Sequence, residues 1–240
     1  MGVDLEEYLD RWSRAHGDYD VRSSPLTRLW LRIAHRLASP LAVRGVQPTR
    51  VTAVGLVGAL AVGGVAALGG RWPLLAAVLV VVVALLDGVD GAVAEMTDAA
   101  TAWGRVLDQL VDRVGDLAMI GGLWALGAPG PVCAAAAVLT ILDEAIRSSA
   151  SAAGVAEVGL VTFAERPTRL VLGGVSFAAA GVVPTAAVPV ATVGASIWLV
   201  LAAFATLQLV INVRRRLLGV PRHGSPTATH EQDGEPRGDR

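Results

Sequence analysis

The sequence predicts an all-α, polytopic membrane protein: six transmembrane helices preceded by an N-terminal interfacial amphipathic helix. Three observations carry this. Of 240 residues, 53% are hydrophobic and 17% charged, with a mean hydropathy of +0.56, whereas a soluble domain carries about a quarter charged residues. Most charges lie in residues 1–50 and 212–240. Between them, long runs of Ala, Val, Leu and Gly are interrupted at helix-length intervals by Gly, Pro or polar clusters. This pattern excludes a soluble enzyme and a disordered chain. Cys133 is the single cysteine, so a disulfide framework is excluded as well. All 20 basic residues are arginine, so a cation in any site is Arg or a metal.

The elements follow in order. Val3, Leu5, Tyr8, Leu9 and Trp12 recur near helical spacing with acids between them. Residues 26–44 place Arg28, Arg32 and Arg36 on one stripe and Leu29, Trp30, Ile33 and Leu37 on another. A basic amphipathic helix beside a span reads as lying on an anionic leaflet; the alternative is a surface helix packed on the protein's own body. No apolar run precedes residue 51 or so, and the first 24 residues are acidic, so no signal peptide is expected. A bilayer core takes roughly 20 apolar residues in a helix. Spans are expected at about 51–69, 72–94, 104–126, 131–153, 168–187 and 190–212. Residues 1–45 then form a cytoplasmic segment, 46–213 the membrane domain and 214–240 a polar, disordered tail.

Arginine placement sets the orientation. With both termini in the cytoplasm, only Arg71 of the 20 arginines falls outside. The opposite orientation would export eight arginines ahead of the first span, and Arg214, Arg215 and Arg216 after the last. A multi-pass plasma-membrane protein with a cytoplasmic site is expected.

Ionisable groups inside spans are costly and mark function. The second span ends with Asp87 and Asp90; the third opens with Asp108 and Asp112 and continues to Asp116. Asp87 and Asp90 are spaced i, i+3, and Asp108 and Asp112 i, i+4. Each pair therefore shares a helix face, with Cβ atoms about 5–6 Å apart. Gly91, Ala94 and Gly104 lie one turn from these acids and leave room for a ligand to approach the backbone. Four facing carboxylates cannot all stay ionised without cations, and Arg105 and Arg113 are too few to neutralise them. Hard oxygen ligands in this number suit Mg²⁺, Mn²⁺ or Ca²⁺, and two such ions about 3.5–4 Å apart clamp a phosphoryl group during in-line displacement. Asp116, Asp143 and Glu144 are further acids, and Arg113 is placed to pair with Asp116 or Asp143 between the third and fourth spans. His16, His35, His223 and His230 show no ligand spacing.

The stretch Asp87–Asp112 resembles the CDP-alcohol phosphotransferase signature, Asp-x2-Asp-Gly-x2-Ala-Arg-x8-Gly-x3-Asp-x3-Asp. Asp87, Asp90, Gly91, Ala94, Gly104, Asp108 and Asp112 match it at every spacing, seven of its eight specified residues. The resemblance implies transfer of a substituted phosphate, phosphatidyl from CDP-diacylglycerol, to an alcohol acceptor with release of CMP in phospholipid synthesis. It also implies a homodimer and two divalent ions, Mg²⁺ or Mn²⁺. By the same resemblance Asp87, Asp90 and Asp108 hold metal, Asp112 adds to a second metal and acts as general base, and Gly91, Ala94, Gly104 and Thr52 line the nucleotide. Pro48-Thr49-Arg50-Val51-Thr52 is similar to the family's Pro-Asn-x-x-Thr opening of the first span; its alternative is a plain helix start with Thr49 as N-cap. Glu165-Arg166-Pro167-Thr168-Arg169, with Arg147 in the fourth span, is similar to actinobacterial phosphatidylinositol phosphate synthases, and implies that Arg147, Arg166 and Arg169 bind an acceptor phosphate. Their alternative is positive-inside anchoring of span ends. Ser149 and Ser151 replace other basic positions of that subfamily.

The departure from the signature is Glu95, where the family has Arg. A glutamate beside a diphosphate is repulsive by about 2 kcal/mol at about 8 Å and an effective dielectric of about 20. It is expected to turn to water or pair with Arg105; either Arg50, Arg105 or Arg113 supplies the missing cation, or the acceptor differs, or activity is lost. Two rival readings follow from the same residues: a divalent-cation transporter or channel, and a relative that binds nucleotide without turnover. Clustering of the acids at two helix ends, rather than along a path, disfavours the transporter. Nothing in the pattern points to nucleic acid; membrane lipids are the expected surroundings.

Overall fold

The computed structural model describes residues 3–15, 20–21, 24–155 and 166–219. Glu165, three of the four histidines and residues 220–240 of the expected tail lie outside them. Among the described residues the chain is all-helical: α1 (Leu5–Ala15), α2 (Pro25–Val43), α3 (Pro48–Ala67), α4 (Trp72–Met96), α5 (Ala102–Ala125), α6 (Gly130–Ala152), α7 (Arg166–Val182) and α8 (Ala187–Gly219).

Helix starts follow from capping chemistry. Ser24 accepts from the Thr27 amide and is followed by Pro25, which opens α2. Thr101 accepts from the Gly104 amide at 2.9 Å and caps α5. α3 starts one residue before Thr49: Gln47 is the N-cap and Pro48 the first helical residue, so Thr49 is not a cap. The turns at Gly69-Gly70, Gly127 and Gly154 adopt positive φ, which glycine accepts without strain. A short 3-10 turn, Pro184–Ala186, joins α7 to α8. Pro189 lies in the first turn of α8 and does not break it. α8 runs on through Arg214, Arg215 and Arg216 to Gly219, so the expected tail begins later than residue 214.

α3, α4 and the Pro184–Gly219 segment are long and apolar enough to cross a membrane. α5, α6 and α7 carry more charge within their spans, including Asp108, Asp112, Arg113, Asp116, Asp143, Arg147, Arg166 and Arg169. One core cluster joins α3–α8 around Val62, Ala66, Val80, Leu123, Phe177 and Trp198. In it Trp198 Nε1 donates to Thr140 Oγ1 at 3.1 Å, tying α8 to α6. A second cluster, with Tyr8, Leu9, Leu31, Ala34, Ala38, Val89 and Val93, packs α1 and α2 on the C-terminal half of α4. On α2 the inward face is Leu31, Ala34 and Ala38, while the expected apolar stripe Leu29, Trp30, Ile33 and Leu37 is exposed beside Arg32 and Arg36. The helix both packs on the body and presents an apolar, arginine-edged outer face.

Candidate metal and nucleotide site

α4 and α5 both pack on α3, and the last turns of α4 are joined to the first turns of α5 by the short loop Thr97–Thr101. Asp87, Asp90 and Asp108 come together there: one carboxylate oxygen from each lies within 4.8 Å of the others. Asp90 is 7% exposed, and its Oδ2 accepts a hydrogen bond from Thr52 Oγ1 at 2.6 Å. That bond orients the carboxylate from a third helix, as outer-shell partners of metal ligands do.

Above the trio opens a cavity of about 420 Å³. Thr52, Gly91, Ala94 and Gly104 line it with Asp90 and Asp108. The four positions expected to meet a nucleotide therefore line one cavity, from α3, α4 and α5. A Cβ at Gly91 would meet nothing within 4 Å, so the glycine keeps cavity space open rather than relieving a clash. Gln47, Pro48, Thr49, Arg105 and the loop residues Ala99, Ala100 and Thr101 complete the lining.

Two expectations change. Asp112 does not join the trio; it sits one turn along α5, where Arg166 of α7 bridges it to Asp87. Arg166 therefore occupies the place at which all four carboxylates were expected to face one another. Glu95 neither lines the cavity nor pairs with Arg105 among the described residues. It stands half-buried against α1: Arg11 donates to its backbone carbonyl at 3.3 Å and to Asp98 Oδ1 at 3.0 Å. Burial, and after it the Glu95 carboxylate, pushes the Tyr8 phenol of α1 up to about 12. The cation on the cavity wall is Arg105; Arg50 is outside the lining and exposed.

The remaining arginines meet a second group of acids. Arg113 lies 3.5 Å from Asp116, 3.8 Å from Glu144 and 3.9 Å from Asp112. The expected pairing of Arg113 with Asp116 is present, and Arg169 Nε shares Asp116 Oδ2 at 3.5 Å. Arg147 donates to Asp143 Oδ2 at 3.2 Å. Sequence reasoning named these residues but missed that Arg166 lies on Asp87 and Asp112. The pair is 79 positions apart in the chain for Asp87, and local spacing carries no sign of it.

An all-oxygen donor set on two helices, oriented by Thr52 and opening into a cavity, fits one or more hard divalent cations. It fits on condition that Arg166 yields Asp87. Such a site beside a backbone-lined cavity can bind a diphosphate and expose it to a nucleophile.

Residues 46–222 match the family model described as CDP-alcohol phosphatidyltransferase. A phosphatidylinositol phosphate synthase from Streptomyces avermitilis is 33% identical over 159 residues, 62% of this chain. The chain spans 64% of the length of that curated relative. The crystal structure of Mycobacterium tuberculosis phosphatidylinositol phosphate synthase with CDP-DAG bound is similar with a TM-score of 0.63 and 25% identity, covering 76% of this chain and 94% of that one. The same protein in complex with manganese and citrate gives a TM-score of 0.63 at 25% identity, covering 75% and 88%.

Proposed function

The chain belongs to the CDP-alcohol phosphatidyltransferase family, and from that premise we propose that it transfers the phosphatidyl group of CDP-diacylglycerol to an alcohol, releasing CMP. The observation that carries this reading is the carboxylate trio, Asp87, Asp90 and Asp108, two of which, Asp90 and Asp108, line the cavity with Gly91, Ala94 and Gly104. The relatives' bound CDP-DAG and manganese support it.

In this reading Asp87, Asp90 and Asp108 hold a divalent ion, Mg²⁺ or Mn²⁺, and Asp112 contributes to a second. Ions bound there supply Lewis-acid neutralisation of the donor's diphosphate charge. The chain's residues do the rest. Thr52 fixes the Asp90 carboxylate. Gly91 and Gly104 leave the backbone bare for the nucleotide, and Arg105 gives a cation to its phosphates. Asp112 takes the proton of the acceptor hydroxyl. The acceptor oxygen then forms a bond to the phosphatidyl phosphorus, and the bond from that phosphorus to the CMP oxygen breaks.

The membrane setting belongs to the same proposal. α3–α8 are six spans forming the membrane domain at 46–213, in the plasma membrane with both termini and the site cytoplasmic. α1 and α2 of the 1–45 segment lie at the interface, α2 with its exposed Leu29, Ile33 and Leu37 toward lipid. The donor's acyl chains then stay in the bilayer while its nucleotide enters the cavity. The active form is a homodimer.

The test is CMP release by the purified chain from CDP-diacylglycerol with Mn²⁺ and a panel of alcohols. Asp108→Asn is expected to abolish release with the fold intact, because it removes a ligand from the trio without changing side-chain volume. Activity within about twofold of wild type would refute the assignment of Asp108 to the metal.

A further inference from the structure

α1 lies ahead of the residues 46–222 that match the family model, yet it reaches the loop that walls the nucleotide cavity. Its base is well tied. At its start Asp4 accepts from the Glu7 amide at 2.9 Å, and the Val3 carbonyl meets His35 Nε2 of α2 at 3.0 Å. Tyr8 and Leu9 are buried in one cluster with Val89, Val93 and Met96 of α4. Arg11 extends from this base, one turn after Glu7. Its Nη2 donates to Glu7 Oε1 at 2.9 Å, which aims the guanidinium. Its Nη1 donates to the Glu95 carbonyl at 3.3 Å and to Asp98 Oδ1 at 3.0 Å.

Those two acceptors bracket the turn out of α4. Carbonyls in the last turn of a helix lack a partner inside it, and a nearby arginine can satisfy them. The Ala99 amide bonds the Ala94 carbonyl, which leaves the Glu95 carbonyl to Arg11. Asp98 has a φ of 50°, the one non-glycine with positive φ among the described residues; an aspartate enters this region more readily than most residues, but at a cost. Ala99, Ala100 and Thr101 follow directly and line the cavity, and Thr101 caps α5. Arg11 thus grips the bend from which the cavity wall departs. The Arg11–Asp98 pair adds little to the fold, because the Asp98 side chain is 84% exposed. Its leverage is positional: a misplacement of about 1 Å in a binding wall can cost a reaction up to about a hundredfold. We propose that Arg11 is a positioning residue for the nucleotide donor, holding the α4–α5 loop against the cavity from outside the family-matched part of the chain. This rests on the phosphatidyl-transfer reading above.

The test uses the full chain in detergent micelles. With CDP-diacylglycerol, Mn²⁺ and an alcohol that supports turnover, Arg11→Gln is expected to raise the KM for the donor at least about fivefold, with kcat within about twofold and Tm within about 2 °C of wild type. Arg14→Gln is the control: Arg14 is exposed on the same helix and donates to the Asp10 carbonyl at 3.2 Å, and its replacement leaves KM unchanged. The loop is read by a nitroxide on Ala100→Cys in a Cys133→Ala background, whose paramagnetic resonance spectrum is expected to show faster motion once Arg11→Gln is added. An unchanged KM overturns the proposal, and so does an unchanged spectrum. A rise in KM matched by falls in kcat and Tm overturns it too, because α1 would then be a general support of the bundle. If no alcohol releases CMP, the transfer reading fails. The nitroxide, and calorimetric titration of CDP with Mn²⁺, in which Arg11→Gln should bind at least about fivefold more weakly, still decide the role of Arg11.

Discussion

At the scale of single residues, two arginines decide how charge is handled. Arg105 is on the cavity wall where the signature residue, Glu95, is not. A half-buried glutamate on the α1 side of α4, off the cavity lining, lies farther from a bound diphosphate than a lining residue, which cuts the roughly 2 kcal/mol repulsion of an unscreened charge at about 8 Å. Donor affinity in Glu95→Gln is therefore expected within about twofold of wild type, while Arg105→Gln loses roughly tenfold, the worth of one charge-assisted phosphate contact. Titration of CDP into each variant separates the two, and a large gain in Glu95→Gln would return Glu95 to the site. Arg166 acts in the opposite sense, because its guanidinium competes with metal for Asp87. Removing the competitor in Arg166→Gln is expected to tighten Mn²⁺ binding by roughly fivefold, about 1 kcal/mol for a partly exposed pair, read by paramagnetic resonance of free Mn²⁺. Weaker Mn²⁺ binding would mean that Arg166 supports the trio rather than filling it.

At the scale of helices, small residues set the distances that bring the acids together. A Cβ on Gly63 of α3 would lie 2.6 Å from the Ala118 carbonyl oxygen of α5. Backbone cannot give way as a flexible side chain does, so Gly63→Val is expected to destabilise the bundle by about 1–3 kcal/mol, seen as a lower Tm in detergent. Gly64 has nothing within 4 Å of its Cβ position, and Gly64→Ala is the control that leaves Tm unchanged. Much at this scale is legible in the sequence. The long helices start and end within a few residues of the hydrophobic runs, because Pro48, Pro73 and Pro131 open helices and Gly69, Gly127 and Gly154 close them. α8 outruns its apolar stretch because arginines are good helix formers and hydropathy does not record propensity. The trio and its cavity are legible too, since i, i+3 and i+4 spacing fixes which side chains share a face. Asp112 is where local reasoning fails. Its spacing from Asp108 is right, yet its partner, Arg166, comes from a helix 54 positions further along the sequence. Glu95 fails likewise, its neighbours being in α1, 84 positions away.

At the scale of the whole molecule, the outer surface and the ends of the helices bear on the proposed orientation together. Val57, Leu60, Val78, Val138, Val175, Val193, Val200 and Leu207 are exposed; a surface this apolar suits acyl chains rather than water. The turns opposite the carboxylate end carry one arginine, Arg71, whereas the carboxylate end carries the arginines of α1 and α2, Arg105, Arg147, Arg166 and Arg214–Arg216. Cationic loops are retained in the cytoplasm, so the trio should open inward, and an even number of crossings should return the C terminus to the same side. Cys133 is buried and is the sole cysteine, which makes the orientation directly measurable. In a Cys133→Ala background, Arg71→Cys is expected to react with a membrane-impermeant maleimide in intact cells. Ala100→Cys, in the loop that walls the nucleotide cavity, should react only after permeabilisation. CDP added to permeabilised cells should then slow labelling of Ala100→Cys and leave Arg71→Cys unaffected. Labelling of Ala100→Cys from outside would overturn the orientation, and with it the delivery of a cytoplasmic nucleotide donor to the carboxylates.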